Sequence, residues 1–295
     1  MFPSLKNVLI GLAFAFLWAS ASTAGKFGLR SAEPLFLFTI RFLIAGTMML
    51  AYATFISRER FPKSTEWKPL AIFGLFNTTL YLGIFILALQ YVTAGITSLA
   101  IALNPLIISV MSSIVLKRKV SGFEWLSIAI GIAGVAVAVY PLIAGDHVTF
   151  IGIGLLFLCM LTYSFGSVYY SSVEWSLSRL AINAWQVFLG GLMLAPFMVL
   201  LHEGQNHMDL NFWLSELWLI IPVFIVSVQL WLWLLKADPV KASLWLFLCP
   251  IFGQMVSTVL LDEPFTQMTA FGTALVLVSL YIGLKKKFKT TTAHR

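Results

Sequence analysis

The feature that most constrains this chain is a succession of apolar runs, each long enough to cross a bilayer, separated by short polar breaks. They lie at about residues 5–26, 33–56, 69–90, 94–116, 122–141, 150–172, 179–201, 213–235, 240–261 and 266–284. Roughly 20 residues of helix span a hydrocarbon core. There every backbone N–H and C=O must be satisfied within its own segment, and these runs lack the period-2 alternation of a barrel strand. Charged residues are 11% of the chain and hydrophobic residues 60%. A soluble domain carries about 25% charge, so most of this surface cannot face water. The expected class is all-α, a polytopic membrane protein of ten transmembrane helices.

Charge placement gives these helices a direction. With the N-terminus inside, the inner segments collect Lys6, Arg58, Arg60, Lys63, Lys68, Lys117, Arg118, Lys119, Arg179, Lys236, Lys241 and the basic tail over 285–295. The outer segments hold Lys26 and Arg30, and acidic residues lean outward at Glu33, Asp146, Glu203, Asp209, Glu216, Asp262 and Glu263. Lys and Arg mark the cytoplasmic side. The expectation is therefore a multi-pass protein of the cell inner (plasma) membrane with both termini cytoplasmic. This topology also accounts for the net charge of +7 without a nucleic-acid partner. A small-residue stretch over 19–24 has the look of a signal-peptidase site, but the repeat described next needs this segment as helix one. Cys159 and Cys249 fall inside apolar runs and form no CxxC pair, so they read as small buried side chains.

A constant shift of 145 residues aligns the two halves without a gap. It pairs Trp18 with Tyr163, Ser22 with Ser167, Gly46 with Gly191, Met48 with Met193, Ser98 with Ser243 and Pro105 with Pro250. Five spans per half is an odd number, so the second half enters the membrane upside down. The charges agree: Lys117, Arg118 and Lys119 lie inside, and the equivalent Asp262, Glu263 and Pro264 lie outside. The expected organisation is two inverted five-helix repeats, 1–145 and 146–295. Such repeats provide two near-degenerate packings, the basis of alternating access in many transporters.

The pattern Leu-Trp-Ala-Ser with Lys26 in helix one, Arg41-Phe42 in helix two, Ala-Leu-Asn-Pro-Leu over 102–106 and Leu-Asp-Glu-Pro-Phe-Thr over 261–266 resembles the EamA-type branch of the drug/metabolite transporter superfamily. The resemblance covers nearly the whole chain. It implies ten helices, cytoplasmic termini, and export of amino acids, other metabolites or toxic compounds. One departure is Lys117-Arg118-Lys119, where family members commonly carry a Glu, which leaves any role of that Glu in doubt here.

Polar and aromatic residues within the apolar spans are the substrate-site candidates. Asn77, Tyr81 and Ile84 share one face of helix three, and the 145-residue shift places Gln229 on helix eight, with Trp233 one turn further. Trp18 and Tyr163 occupy equivalent positions in helices one and six. Helix four offers Ser98 and Asn104 before Pro105, helix nine Trp245 before Pro250, and helix seven Trp185 and Gln186. Buried amides seek partners or a wet cavity, and each proline is expected to kink its helix and free a carbonyl. Each of these amides reads equally as interhelical glue. Trp67, Trp175, Trp213 and Trp218 read as an interfacial belt.

Lys26 and Arg41 are the candidate charge or gating residues. Arg41, about 12 Å from the outer end of its span at 1.5 Å per residue, either snorkels outward and pairs with Glu33 or faces the cavity, where it favours a carboxylate or phosphate. Glu33, Glu124, Glu216, Asp262 and Glu263 all read as near span ends, so no deep carboxylate is expected to carry a proton or bind a dication. That pattern favours hydrophobic or aromatic amino acids moved by facilitated diffusion; a proton-coupled exporter of toxic cations is the alternative. An enzyme is not expected: His202 and His207 are five apart rather than four and cannot clasp one zinc from a helix face. The loop carrying them reads as merely solvated, and the Asn77-Thr78-Thr79 sequon lies within a span. Nothing in the chain calls for a cofactor or metal. The expected partners are a small-molecule substrate and membrane lipid, and a ten-helix repeat pair encloses a pathway as a monomer. A receptor or structural role lacks the extramembrane domain it would use.

Overall fold

The computed structural model describes residues 5–92, 97, 100–143, 149–261 and 266–285. Ser98, Asp146, Asp262 and Glu263 lie outside the described residues. The helices are α1 (Leu5–Gly28), α2 (Pro34–Ile56), α3 (Ser64–Ala88), α4 (Asn104–Val115), α5 (Gly122–Ile143), α6 (Phe150–Ser172), α7 (Arg179–Leu200), α8 (Leu210–Ala237), α9 (Pro239–Leu260) and α10 (Gln267–Lys285). No strand occurs among the described residues. Seven of these helices, α1, α2, α3, α6, α7, α8 and α9, are long and apolar enough to cross a membrane, while α4 and the apolar stretches of α5 and α10 are shorter.

Two helices begin earlier than their hydropathy suggests, because polar caps extend them. Glu66 accepts the Lys63 N–H at 2.6 Å and starts α3 at Ser64. Asp209 Oδ1 accepts the Phe212 N–H at 2.9 Å and starts α8 at Leu210. Sharp exits follow α2 and α4. Arg58 and Lys117 both adopt φ of 50°, and the next N–H reaches back across the turn, Glu59 to Ala53 O and Arg118 to Ser112 O.

α2 packs along α7 and α5 along α10, while α3 lies on α6, α1 on α8 and α9, and α4 on α6 and α9. In lipid, helices gain little from hiding apolar surface from one another, so close approach through small residues and hydrogen bonds does the work. A Cβ on Gly46 would come within 2.7 Å of Phe188 Cα, and one on Gly191 within 2.9 Å of Phe42 Cβ, so α2 and α7 cross at backbone contact. Along α5 and α10, Ser127 donates to Ser279 O at 2.8 Å and Ser279 donates to Ser127 O at 2.7 Å.

The regular α-helical ladder is broken at five places among the described residues, the first a π-helical turn over Tyr52–Ile56 that ends α2. Wider π-helical turns occupy Leu75–Leu80 in α3 and Leu219–Ser227 in α8. In α9 a tight 3₁₀ turn, Trp245–Leu248, directly precedes Cys249 and Pro250, and α4 starts at Asn104 with Pro105 in its first turn. The expected proline kinks are thus breaks, with each proline at the start of a fresh helix where its missing N–H is not needed.

Candidate substrate cavity

Helices α1, α3, α6 and α8 each send one large ring to the centre of the bundle. Trp18 lies 6.1 Å from Tyr163 and 6.3 Å from Tyr81, ring centre to ring centre, and Tyr81 lies 4.6 Å from Tyr163. Trp231 stacks on Tyr163 at 5.6 Å and on Phe14 at 4.8 Å. The Tyr163 hydroxyl and the Trp231 Nε1–H have no hydrogen-bond partner, although both residues are 1% exposed. A polar group buried without a partner costs roughly 1–3 kcal/mol. Pairs of such groups at one place suggest that something else satisfies them in another state.

Beside this cage is a cavity of about 20 Å³, lined by Trp18, Ser22, Phe38, Arg41, Tyr81 and Phe224 among others. That is room for about one water, far below the several hundred Å³ of a metabolite site. Arg41 is 1% exposed and its guanidinium lies 3.7 Å from the Phe38 ring centre, 4.5 Å from Phe224 and 4.8 Å from Phe42. Its Nε and Nη1 are unpaired. Arg41 therefore faces the interior, held by ring faces that attract its charge.

Glu33 is not its partner. The Glu33 carboxylate accepts the Glu203 N–H at 2.8 Å, the Gly204 N–H at 2.7 Å and the Asn206 amide at 3.1 Å, and it pairs with His202 Nδ1 at 2.5 Å. The loop expected to be merely solvated is thus organised around one carboxylate. The Glu203 N–H, followed by His202, Asn206 and the Gly204 N–H, outweighs partial burial and holds Glu33 down to about 2.

The expectation of no buried acid is also corrected. Glu216 is 1% exposed and neither of its oxygens has a partner; the Asp209 cap lengthens α8 and carries Glu216 inward. Glu124 is buried as well, but Arg118 binds it at 2.7 and 3.2 Å and reaches Asp238 at 2.9 Å, tying the α4–α5 turn to the α8–α9 turn. On the same basic face Arg60 binds Glu66 at 2.6 Å and Ser176 at 2.8 Å. Contacts between the two halves therefore close both ends of the bundle.

Other sequence candidates are placed elsewhere. Gln186 accepts from Thr78 at 2.7 Å and from Asn77 at 3.4 Å, and donates to Asn183 at 3.0 Å, which binds Phe224 O at 3.2 Å. Asn77 and Tyr81 thus part company: the π-helical turns between them slip the 3.6-residue register, so one meets α7 and the other the cage. The same slip in α8 brings Trp231 to the centre and leaves Gln229 half-buried, donating to Arg179 O at 3.3 Å. Trp185 packs on Trp67 at 4.8 Å and Phe61 at 5.8 Å, near the start of α7 and away from the cage. Asn104 joins α4 to α6, accepting from Ser164 at 3.0 Å. The Trp245 ring covers Gly11 of α1, and Lys26 lies half-buried in the last turn of α1. Trp67, Trp213 and Trp218 are partly exposed, and Trp175 is half-buried against Tyr170 at 5.7 Å. Among the described residues no cluster of His, Cys, Asp or Glu could hold a metal ion.

Comparison with known proteins agrees with this architecture. An uncharacterized transporter of Archaeoglobus fulgidus is 27% identical over 96% of this chain and 99% of its own. One from Synechocystis sp. is 25% identical over 95% of this chain and 90% of its own. A probable amino-acid metabolite efflux pump of Escherichia coli is 23% identical over 95% of both chains. A solved structure, 18% identical, superposes with a TM-score of 0.78 over 95% of this chain and 98% of that one, which shows a shared fold. The sequence profile of the EamA-like transporter family matches residues 5–140 and again residues 150–284. The chain is a multi-pass membrane protein that belongs to the EamA-like transporter family.

Proposed function

We propose that this transporter exports small metabolites from the cytoplasm by alternating access, namely amino acids with hydrophobic or aromatic side chains. The observation that carries the substrate reading is the cage of Trp18, Tyr81, Tyr163 and Trp231, in which the Tyr163 hydroxyl and the Trp231 N–H are unpaired, and whose Trp18 and Tyr81 rings share a cavity wall with Arg41. Ring faces suit an apolar side chain, and Arg41 suits a carboxylate. The Escherichia coli relative's description as a probable amino-acid metabolite efflux pump supports the same substrate class. A toxic cation is disfavoured by the guanidinium in the cavity wall.

The access reading adds ten membrane helices, two inverted repeats over 1–145 and 146–295, cytoplasmic termini in the inner membrane, and a monomer as the working unit. Its support is the exchange symmetry of the packing: α3 on α6 mirrors α8 on α1, and α4 on α6 mirrors α9 on α1. The π-helical turns at Leu75–Leu80 and Leu219–Ser227 also fall at equivalent places under the 145-residue shift. With both ends closed and room for about one water, this conformation is the occluded one. The test is flux of labelled phenylalanine and tryptophan through the full-length protein in proteoliposomes. Saturable flux that drops tenfold or more in Trp18→Ala supports the proposal; flux indistinguishable from empty liposomes rejects it.

A further inference from the structure

The geometry points to Glu216 as a proton-carrying carboxylate: it holds a proton while the empty cavity is closed and gives it up when the cavity opens to the basic face, tying outward movement of substrate to inward movement of a proton. This goes beyond the proposed function and rests on its transport reading. It also replaces facilitated diffusion, whose ground was the supposed lack of a buried acid.

Glu216 lies six residues into α8, about 9 Å below the outer end at 1.5 Å per residue. Arg41, seven residues into α2, lies at a similar depth from the same face. The turn that carries Glu216 is pinned to α1 on both sides, by Ser215 donating to Ala24 O at 2.6 Å and by Trp218 Nε1 donating to Ser20 at 2.9 Å. Between these anchors the carboxyl is 1% exposed and neither oxygen meets a donor. An ionised carboxylate in such a place has lost water and gained nothing in its stead; the neutral acid is the form this environment tolerates.

The charged and titratable groups on the surrounding helices bear this out. In the last turn of α1 stands Lys26, and just past the helix Arg30, over Phe27 at 4.7 Å. At the start of α2 stands Glu33, engaged with the 202–206 loop, and at the start of α8 stands Asp209, engaged with Phe212 and Ser31. Tyr81 on α3 lines the same small cavity as Arg41. Yet Arg41 and Glu216 form neither a hydrogen bond nor an ion pair, and the guanidinium sits among the rings of Phe38, Phe42 and Phe224 instead. An ionised pair buried at one depth in a dry interior would gain by touching. Their separation fits a charged Arg41 beside a neutral Glu216.

With an amino acid bound, its ammonium keeps Glu216 ionised, so the loaded cavity closes and opens outward without carrying a proton. Once the substrate has left to the outer water, Glu216 takes a proton from that water, an O–H bond forms, and the empty cavity closes. On opening to the basic face that bond breaks, the proton leaves to the inner water, and the carboxylate receives the next substrate. Arg41 keeps its charge throughout and no other bond changes.

Two readouts on the full-length protein test this. In infrared difference spectra at neutral pH, the wild type should show a carbonyl stretch of a protonated carboxylic acid that Glu216→Gln lacks and Glu216→Asp shifts; a wild type without that band overturns the inference. In proteoliposomes made acidic on the face equivalent to the outside, the gradient should speed labelled phenylalanine export severalfold in the wild type. Glu216→Asp should keep part of that response, and Glu216→Gln should move phenylalanine at one rate whatever the gradient. A wild type indifferent to the gradient overturns the coupling. A wild type that carries no phenylalanine at all overturns the amino-acid reading instead, and the infrared band still decides the state of Glu216. Should Glu216→Gln not fold, the Glu216→Asp band shift and its reduced response to the gradient carry the test.

Discussion

Replacing Tyr163 with phenylalanine is expected to raise stability and lower transport at once. The tyrosine is 1% exposed and its hydroxyl has no partner. Desolvating an unpaired hydroxyl costs roughly 1–3 kcal/mol, and Tyr163→Phe removes that cost while keeping the ring that stacks on Trp231 at 5.6 Å. A gain of that size moves Tm upward by several degrees. Transport moves the other way, because the hydroxyl that is idle in the closed state is a group the substrate would bond; KM for phenylalanine should rise. This is the trade that a site strained for function makes against stability. The assay is thermal unfolding of purified wild type and variant in one detergent at one scan rate, since unfolding of such proteins is often irreversible, paired with initial flux rates. As a contrast in sign, Trp231→Ala empties a buried site and should cost roughly 3–5 kcal/mol. A lower Tm for Tyr163→Phe would refute the reasoning, because it would mean that the hydroxyl is satisfied in the closed state.

Gly46→Ala places a Cβ within 2.7 Å of the Phe188 backbone, so thermal unfolding should show a loss of roughly 1–3 kcal/mol from overpacking. Gln186→Leu strands Asn77, Thr78 and Asn183 and should cost roughly 1–3 kcal/mol in the same measurement. Arg118→Ala frees Glu124 and Asp238 and should loosen the basic face, read as faster hydrogen exchange at the first residues of α5 and α9. The Glu33 carboxyl has its folded value lowered from 4.5 to about 2, so its contribution to the 202–206 loop is complete above about pH 4.5 and is lost as pH falls toward 2. Exchange at the Glu203 and Gly204 amides should therefore quicken over that window in the wild type and be fast at neutral pH in Glu33→Gln.

The helical class and the membrane setting were legible because apolar runs of bilayer length stand out in the sequence, and the family because its short motifs, such as Arg41-Phe42 and the stretch over 102–106, do as well. The pairing of Trp18 with Tyr163 was legible too, since the 145-residue shift names both and the structure sets them 6.1 Å apart. What escaped was whatever departs from a uniform 3.6-residue helix. Extrapolating helix eight at constant pitch selects Gln229 and Trp233, but π-helical turns over Leu219–Ser227 bring Trp231 inward. Likewise Glu216 reads as a span end until Asp209 is recognised as a cap that starts α8 at Leu210. The signal for that was present, an Asp three residues before Phe212 ahead of an apolar run. No such signal announces the 202–206 loop, whose order depends on Glu33, some 170 residues earlier in the chain.

The most direct test of alternating access is whether the cavity can be reached from each face in turn. Ser22 lines it, and Cys159 and Cys249 are buried free thiols that can be replaced first. In that background Ser22→Cys, in right-side-out and inside-out vesicles, is exposed to a membrane-impermeant thiol reagent with and without phenylalanine. The account predicts labelling from both faces, slowed by the amino acid on each. Labelling from one face only, or from neither under conditions of active flux, would contradict it.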